Sequence, residues 1–122
     1  MTETNGYATR ELLLRAPVRR FKELVVPDLG TVRIRSLTEL ERSQFEASIR
    51  DKNGQVSNSK LVDLKCRLIV LAVVDGEGNQ ILQNSDIAQL RQQDSKITNS
   101  LVDVIQDHIG ITDNDLEELE KN

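Results

Sequence analysis

Three polar residues with metal-binding side chains stand at alternate positions, Asp75, Glu77 and Asn79. That spacing opens a calcium loop, in which oxygen ligands alternate around a turn. The loop also needs a glycine at its sixth position and a bidentate glutamate at its twelfth. Gln80 and Asp86 stand there instead, so the ligand set does not complete. Gly76 and Gly78 begin something like a dinucleotide-binding turn. Ile81 fills the place of the third glycine, and a helical pattern precedes the turn where a strand is needed. Ser57 and Lys60 have the spacing of a serine–lysine catalytic pair, without the companion motifs of such enzymes.

The chain has one histidine, His108, and one cysteine, Cys66. Zinc needs three or four ligands, which this pair cannot supply. Neither residue has the context of a nucleophile–base dyad. Cys66 lies within an apolar helical pattern and reads as a small core residue. His108 falls in the last turn of a helix, where a cation suits the carbonyl end of the dipole. The carboxylates gather in the C-terminal part, on faces that solvent explains. The reading is of a protein that is not an enzyme and uses no cofactor and no metal.

The bulk properties agree with a binding role. A chain of 122 residues fits one domain large enough to bury its own core. It has two Phe, one Tyr and no Trp, so the core must be built from Leu, Ile, Val and Ala. Stacking platforms for bases are nearly absent, which argues against a nucleic-acid partner. The net charge of -4 gives no pull toward DNA or anionic membranes. The charge is unevenly spread. Residues 10–35 hold seven basic and three acidic side chains, a balance of +4, whereas residues 75–122 hold three basic and eleven acidic, a balance of -8. Such polarity either steers head-to-tail association or marks two differently solvated surfaces. A single cysteine excludes an internal disulfide framework. The N-terminus lacks a signal-peptide pattern, and the longest apolar stretch, Leu68 to Val74, is far shorter than a membrane span. These features place the protein in the cytoplasm.

Residues 1–8 are polar and read as a flexible arm, and residues 9–122 as a single α+β domain. Thr9 can cap a short helix to Leu14 or Arg15, with Leu12 and Leu13 as its apolar side and Pro17 preventing continuation. Phe21 to Val26 and Thr31 to Arg35 read as a β-hairpin across the turn Pro27-Asp28-Leu29-Gly30. In the second strand Val32 and Ile34 face one way, and Arg33 and Arg35 form the wet face rather than a phosphate-binding stripe. Thr38 to Glu41 is a capping box that starts a helix to about Arg50, with Leu40, Phe45 and Ile49 inward. A polar loop from Asp51 to Ser59 follows.

Asn58 or Ser59 opens the most apolar helix, with Leu61, Leu64, Leu68 and Leu71 at helical spacing and Val73 and Val74 extending it. The turn Asp75 to Asn79 ends it. Ser85 can cap a helix to Gln92. Another helix spans about Ser95 to His108, with Ile97, Leu101, Val104 and Ile105 on one face and Gly110 as its C-cap. Thr112 caps a final acidic helix with Leu116 and Leu119 on one side. The expected fold is α+β, one β-hairpin packed with about five or six helices.

The order of these pieces resembles a family. Val25-Val26-Pro27, Gly30, Val32 to Arg35, Leu37-Thr38, Glu41-Arg42 and Phe45-Glu46 run from hairpin into capped helix. Then come Arg67-Leu68, Val70 to Val74, the Asp75 to Asn79 turn and Asp86. Gly110, Thr112, Asp115 and Glu117 to Asn122 close the chain. The set resembles the tail assembly chaperones of long-tailed bacteriophages and prophages along nearly the whole chain. Leu29 and Leu82 depart from the family pattern, which often has tryptophan at the first position and an aromatic residue at the second.

The resemblance implies a non-enzymatic chaperone of the bacterial host cytoplasm, absent from the mature virion. It would bind the tape-measure protein, a long helical rod, and keep it soluble while tail-tube protein polymerises around it. Such proteins are often made in a second, longer form by programmed frameshifting, and the extension is thought to recruit tail-tube protein. This chain corresponds to the short form, and homo-oligomers along the rod fit the same picture. Glu120-Lys121-Asn122 can be encoded GAA-AAA-AAC, which contains a slippery string. The expected protein contacts are Leu12, Leu13, Leu116 and Leu119, unless these leucines pack on the domain's own core. The alternative from another class is a structural virion component, such as a head–tail connector or tail-completion protein.

Overall fold

A computed structural model gives the fold. It describes residues 6–16, 18–50, 53–54 and 63–120, without the side chains of Asp113, Leu119 and Glu120. Most of the expected N-terminal arm, the Ser57–Lys60 pair and the expected helix start at Asn58 or Ser59 lie outside the described residues.

The hairpin forms where its turn chemistry and alternation place it. Strands β1 (Phe21–Val26) and β2 (Gly30–Arg35) pair antiparallel from Phe21↔Arg35 to Val26↔Gly30. The Leu29 N–H donates to the Val26 carbonyl at 3.0 Å and closes the turn. Pro27 presets the backbone angle at the second turn position. The third position needs a positive φ, and Asp28 takes it at 72°. Gly30 follows at 100°.

A third strand joins this hairpin. Val73–Val74, β3, pairs antiparallel with β2 through Ile34↔Val73 and Arg33↔Val74, giving a sheet of order β1-β2-β3. The apolar run predicts helix as far as Val74, but the helix stops at Ala72. Val73 has φ -76° and ψ 130°, an extended conformation that suits a β-branched residue. The two valines bury their side chains better as a strand against Ile34 than as another helical turn.

Among the described residues six α-helices accompany the sheet: α1 (Arg10–Leu14), α2 (Glu39–Ser48), α3 (Leu64–Ala72), α4 (Ile87–Leu90), α5 (Ser95–Ile109) and α6 (Asp113–Glu120). This is the expected α+β fold. The starts and stops have local causes. Thr9 Oγ1 accepts from the Leu12 N–H at 3.2 Å. Thr38 and Glu41 exchange two bonds, at 2.9 and 3.1 Å, in the expected capping box. Thr112 and Asp115 form a second reciprocal pair at 2.9 and 3.1 Å. Gly110 ends α5 in the left-handed conformation, φ 79° and ψ 22°, with its N–H on the Gln106 carbonyl. Ser85 does not cap the helix expected to follow it. It lies inside a 3₁₀ turn, Asn84–Asp86, where the Asp86 carboxylate reaches back to the Gln83 N–H at 2.7 Å.

Helix α3 is buried on most sides and packs against α5, under β2. Ile34, Ile49, Leu68, Ile69, Val102 and Ile105 have virtually no contact with solvent. Phe45 is the one aromatic residue in this aliphatic core. Leu40 was expected to point inward beside Phe45 and Ile49, but it is exposed. Five residues of helix rotate a side chain by about 140°, so Leu40 and Phe45 cannot share a face. Among the described residues no helix is long and apolar enough to cross a membrane.

Candidate functional site

The residues with the look of chemistry turn out to be committed to structure. Asp75 Oδ1 accepts the backbone N–H groups of Glu77 and Asn79 at 2.8 and 3.0 Å. These bonds, Asn79's first, hold its carboxyl below the usual carboxylate range. The carboxylate therefore braces the turn that brings Gln80 back beside Val74. No group of three metal-ligating side chains occurs among the described residues. Gly78 has φ 89°, and a Cβ there would come within 3.2 Å of the Phe21 ring. That glycine makes room for an aromatic ring, not for a phosphate. Burial pushes the Cys66 thiol pKa up, against the direction a nucleophile requires. His108 Nε2 lies 3.1 Å from the Arg20 carbonyl oxygen, and the Arg20 guanidinium donates to the His108 carbonyl at 2.9 Å. This reciprocal pair fastens the segment before β1 to the end of α5.

The arginines of β2 are not the wet face that alternation predicts. Arg33 stacks its guanidinium 4.0 Å from the centre of the Phe21 ring and donates to the Gly76 carbonyl. Arg35 donates from Nε to the Leu71 carbonyl at 3.0 Å, at the C-terminal end of α3 where a cation is favoured. Its side chain is 13% exposed. The unforeseen strand β3 and its turn cover this side of β2, and both guanidiniums cross to it. Arg33 through one terminal nitrogen and its ring contact, and Arg35 through its bonds, are drawn to that side and do not form a phosphate-binding stripe.

Glu41 joins three parts of the molecule. Besides its cap on Thr38, it takes a bidentate pair of bonds from Arg19, at 2.5 and 2.7 Å, and lies 3.6 Å from Arg35. Arg19 also donates to the Ser36 carbonyl at 2.7 Å. The Arg19 bonds chiefly, with help from Thr38 and Arg35, lower the Glu41 pKa to about 2. The same pairing raises that of Arg19.

Arg19 and Arg20 thus anchor a segment whose preceding part is apolar and uncovered. Helix α1 buries none of its residues. Leu13 is 75% exposed, and Leu12 and Leu14 are also largely open. Tyr7 and Val18, on either side, are exposed too. Of the predicted contacts, Leu12 and Leu13 therefore lie on an open surface. Leu116 is half-buried and packs against the main core, and the side chain of Leu119 lies outside the described residues. The exposure of Leu14 was legible in principle, since three consecutive leucines cannot share one face of a five-residue helix. Val25 and Leu29, exposed near the hairpin tip, carry no such signal in an alternating strand.

Comparison with known proteins finds no matching family model, no similar curated protein and no similar solved structure.

Proposed function

We propose that this protein is a tail assembly chaperone of a bacteriophage or prophage. In this reading it binds the tape-measure protein in the host cytoplasm and keeps it soluble during tail assembly. It works by contact, without a catalytic step or a cofactor. The observation that carries the reading is the uncovered leucine run Leu12 to Leu14 on a helix that buries nothing. Adjacent exposed apolar side chains usually mark a surface that another protein covers. A helical client, whose apolar anchors recur at three- and four-residue spacing, would bury such side chains. The ordered resemblance to the chaperone family supplies the identity of that client.

The test begins with the gene and its downstream region. The reading expects a slippery string, that of the codons for Glu120, Lys121 and Asn122 or a similar one near the end of the gene, an overlapping frame one base back, and a very long helix-rich reading frame beyond it. Co-expression with that downstream protein is then expected to yield a soluble complex, and tail-tube protein to bind only the longer product. Absence of both gene features, or recovery of this chain in purified particles, would overturn the proposal. Recovery in particles would identify a structural virion component instead.

A further inference from the structure

Helix α1 sorts its side chains by face. Successive residues of a helix are turned by about 100°, so residues three and four apart are neighbours. Arg10 therefore stands between Leu13 and Leu14 on one face. These are the two most exposed leucines of the helix, at 75% and 66%, and Arg10 is exposed beside them. Leu12, at 49%, lies on the opposite side. The outward face is thus two leucines with a guanidinium set between them.

The charge along this segment is mostly of one sign. Residues 10–22 hold five basic side chains and one acidic. Of the five, only Arg19 is in an ion pair among the described residues. Arg20 donates to the His108 carbonyl through one nitrogen. Arg10, Arg15 and Lys22 are exposed, and their side chains have no partner among the described residues. Glu11, the one acid, is three residues from Leu14 and borders the face on that side only.

A surface of this kind selects among helices. The leucines take an apolar stripe, and the free guanidinium between them takes a carboxylate at its border. Such solvent-open pairs add selectivity more than affinity. Two other covers fit less well. A second copy of this chain offers the carboxylates of α6, but Leu116 on that helix packs against its own core and supplies no free stripe. An anionic membrane repels a chain of net charge -4, and a five-residue helix offers it little apolar area. We propose that α1 receives an amphipathic client helix whose apolar stripe is bordered by glutamates or aspartates, with Arg10 as the selecting cation between Leu13 and Leu14. This inference rests on the reading of α1 as the client contact and adds the chemistry of the client.

The experiment uses two synthetic peptides of equal length, held helical by the same side-chain staple. Both carry one leucine stripe, bordered by glutamates in the first and by lysines in the second. Their affinities for the full chain are measured by fluorescence anisotropy at low and high salt. The glutamate peptide is expected to bind roughly 3–10-fold tighter at low salt, and the preference to shrink at high salt. Arg10→Glu is expected to reverse the preference while its unfolding curve overlays that of the parent. Leu13→Ser with Leu14→Ser is expected to lose both peptides. Equal affinity for the two peptides, a preference unchanged in Arg10→Glu, or binding of neither peptide overturns the inference. Binding to phosphatidylserine vesicles with neither peptide bound would assign the face to a membrane instead. Sedimentation of the chain alone as an oligomer that Arg10→Glu dissolves would assign it to a second copy. Failure of the chaperone reading shows elsewhere, in the gene. Undiminished capture of the downstream client by Arg10→Glu sinks this inference alone, whereas missing gene features sink the chaperone reading and leave the peptide result standing.

Discussion

Glu41 caps α2, receives Arg19 from the segment before β1 and faces Arg35 from β2. Its pKa falls from 4.5 to about 2 in the folded chain. Between those values the unfolded chain takes up a proton that the folded chain does not, so acid favours unfolding. The stabilisation is complete above about pH 4.5 and is lost as the pH falls through about 2. The full shift corresponds to about 3 kcal/mol, which solvent screening at this partly open site reduces to ~1–2 kcal/mol. Glutamine at this position can still complete the capping box, but its amide nitrogen cannot accept, so Glu41→Gln removes the charge together with one of the two Arg19 bonds. Urea unfolding is expected to show a loss of ~1–2 kcal/mol at pH 7 that closes near pH 2. A gap that persisted at pH 2 would assign the loss to packing. A second residue prediction concerns backbone strain. Asp28 is exposed at φ 72°, a region that aspartate and asparagine tolerate and β-branched residues avoid. Asp28→Asn is expected to leave stability within ~0.5 kcal/mol, and Asp28→Val to cost ~1–2 kcal/mol, read from the urea midpoint.

The elements separate what was written locally from what depended on distant chain. Ile49, the C-cap residue of α2, is fully buried, whereas Leu40 in the first turn of the helix is 65% exposed. Ile49→Ala is expected to cost ~2–5 kcal/mol and Leu40→Ala less than ~0.5 kcal/mol, measured by thermal or urea unfolding. Equal losses would mean that α2 is rotated about its axis. The hairpin was legible because Pro27 to Gly30 and the alternation beyond it act within a few residues. The Thr38–Glu41 box and Gly110 were legible for the same reason. Strand β3 was not legible. Val73 and Val74 continue an apolar run, and periodicity cannot distinguish a buried helix from a buried strand over so few residues. Its partner, Ile34, lies far back in the sequence. The hidden strand also concealed the fate of Arg33 and Arg35, because alternation shows which way a side chain points but not what will cover it.

At the scale of the molecule, an aliphatic core holds α3, α5 and the sheet together, while the leucines of α1 contribute nothing to it. This separation distinguishes a binding surface from a loosely packed core. Paired substitution Leu12→Asp with Leu13→Asp places charge where solvent already reaches, so its cost to folding is expected to stay within ~0.5 kcal/mol. If α1 is the contact, the same variant loses capture of a co-expressed helical client while its unfolding curve overlays that of the parent. Leu116→Asp behaves differently. Leu116 packs on the core from α6, so burying a carboxylate there is expected to cost at least ~1–3 kcal/mol. Loss of client binding in that variant cannot by itself assign an interface, because the fold is damaged too. Measured side by side, the two variants separate contact from stability. Full client capture by the α1 variant would remove α1 from the binding surface, and with it the observation on which the proposed function rests.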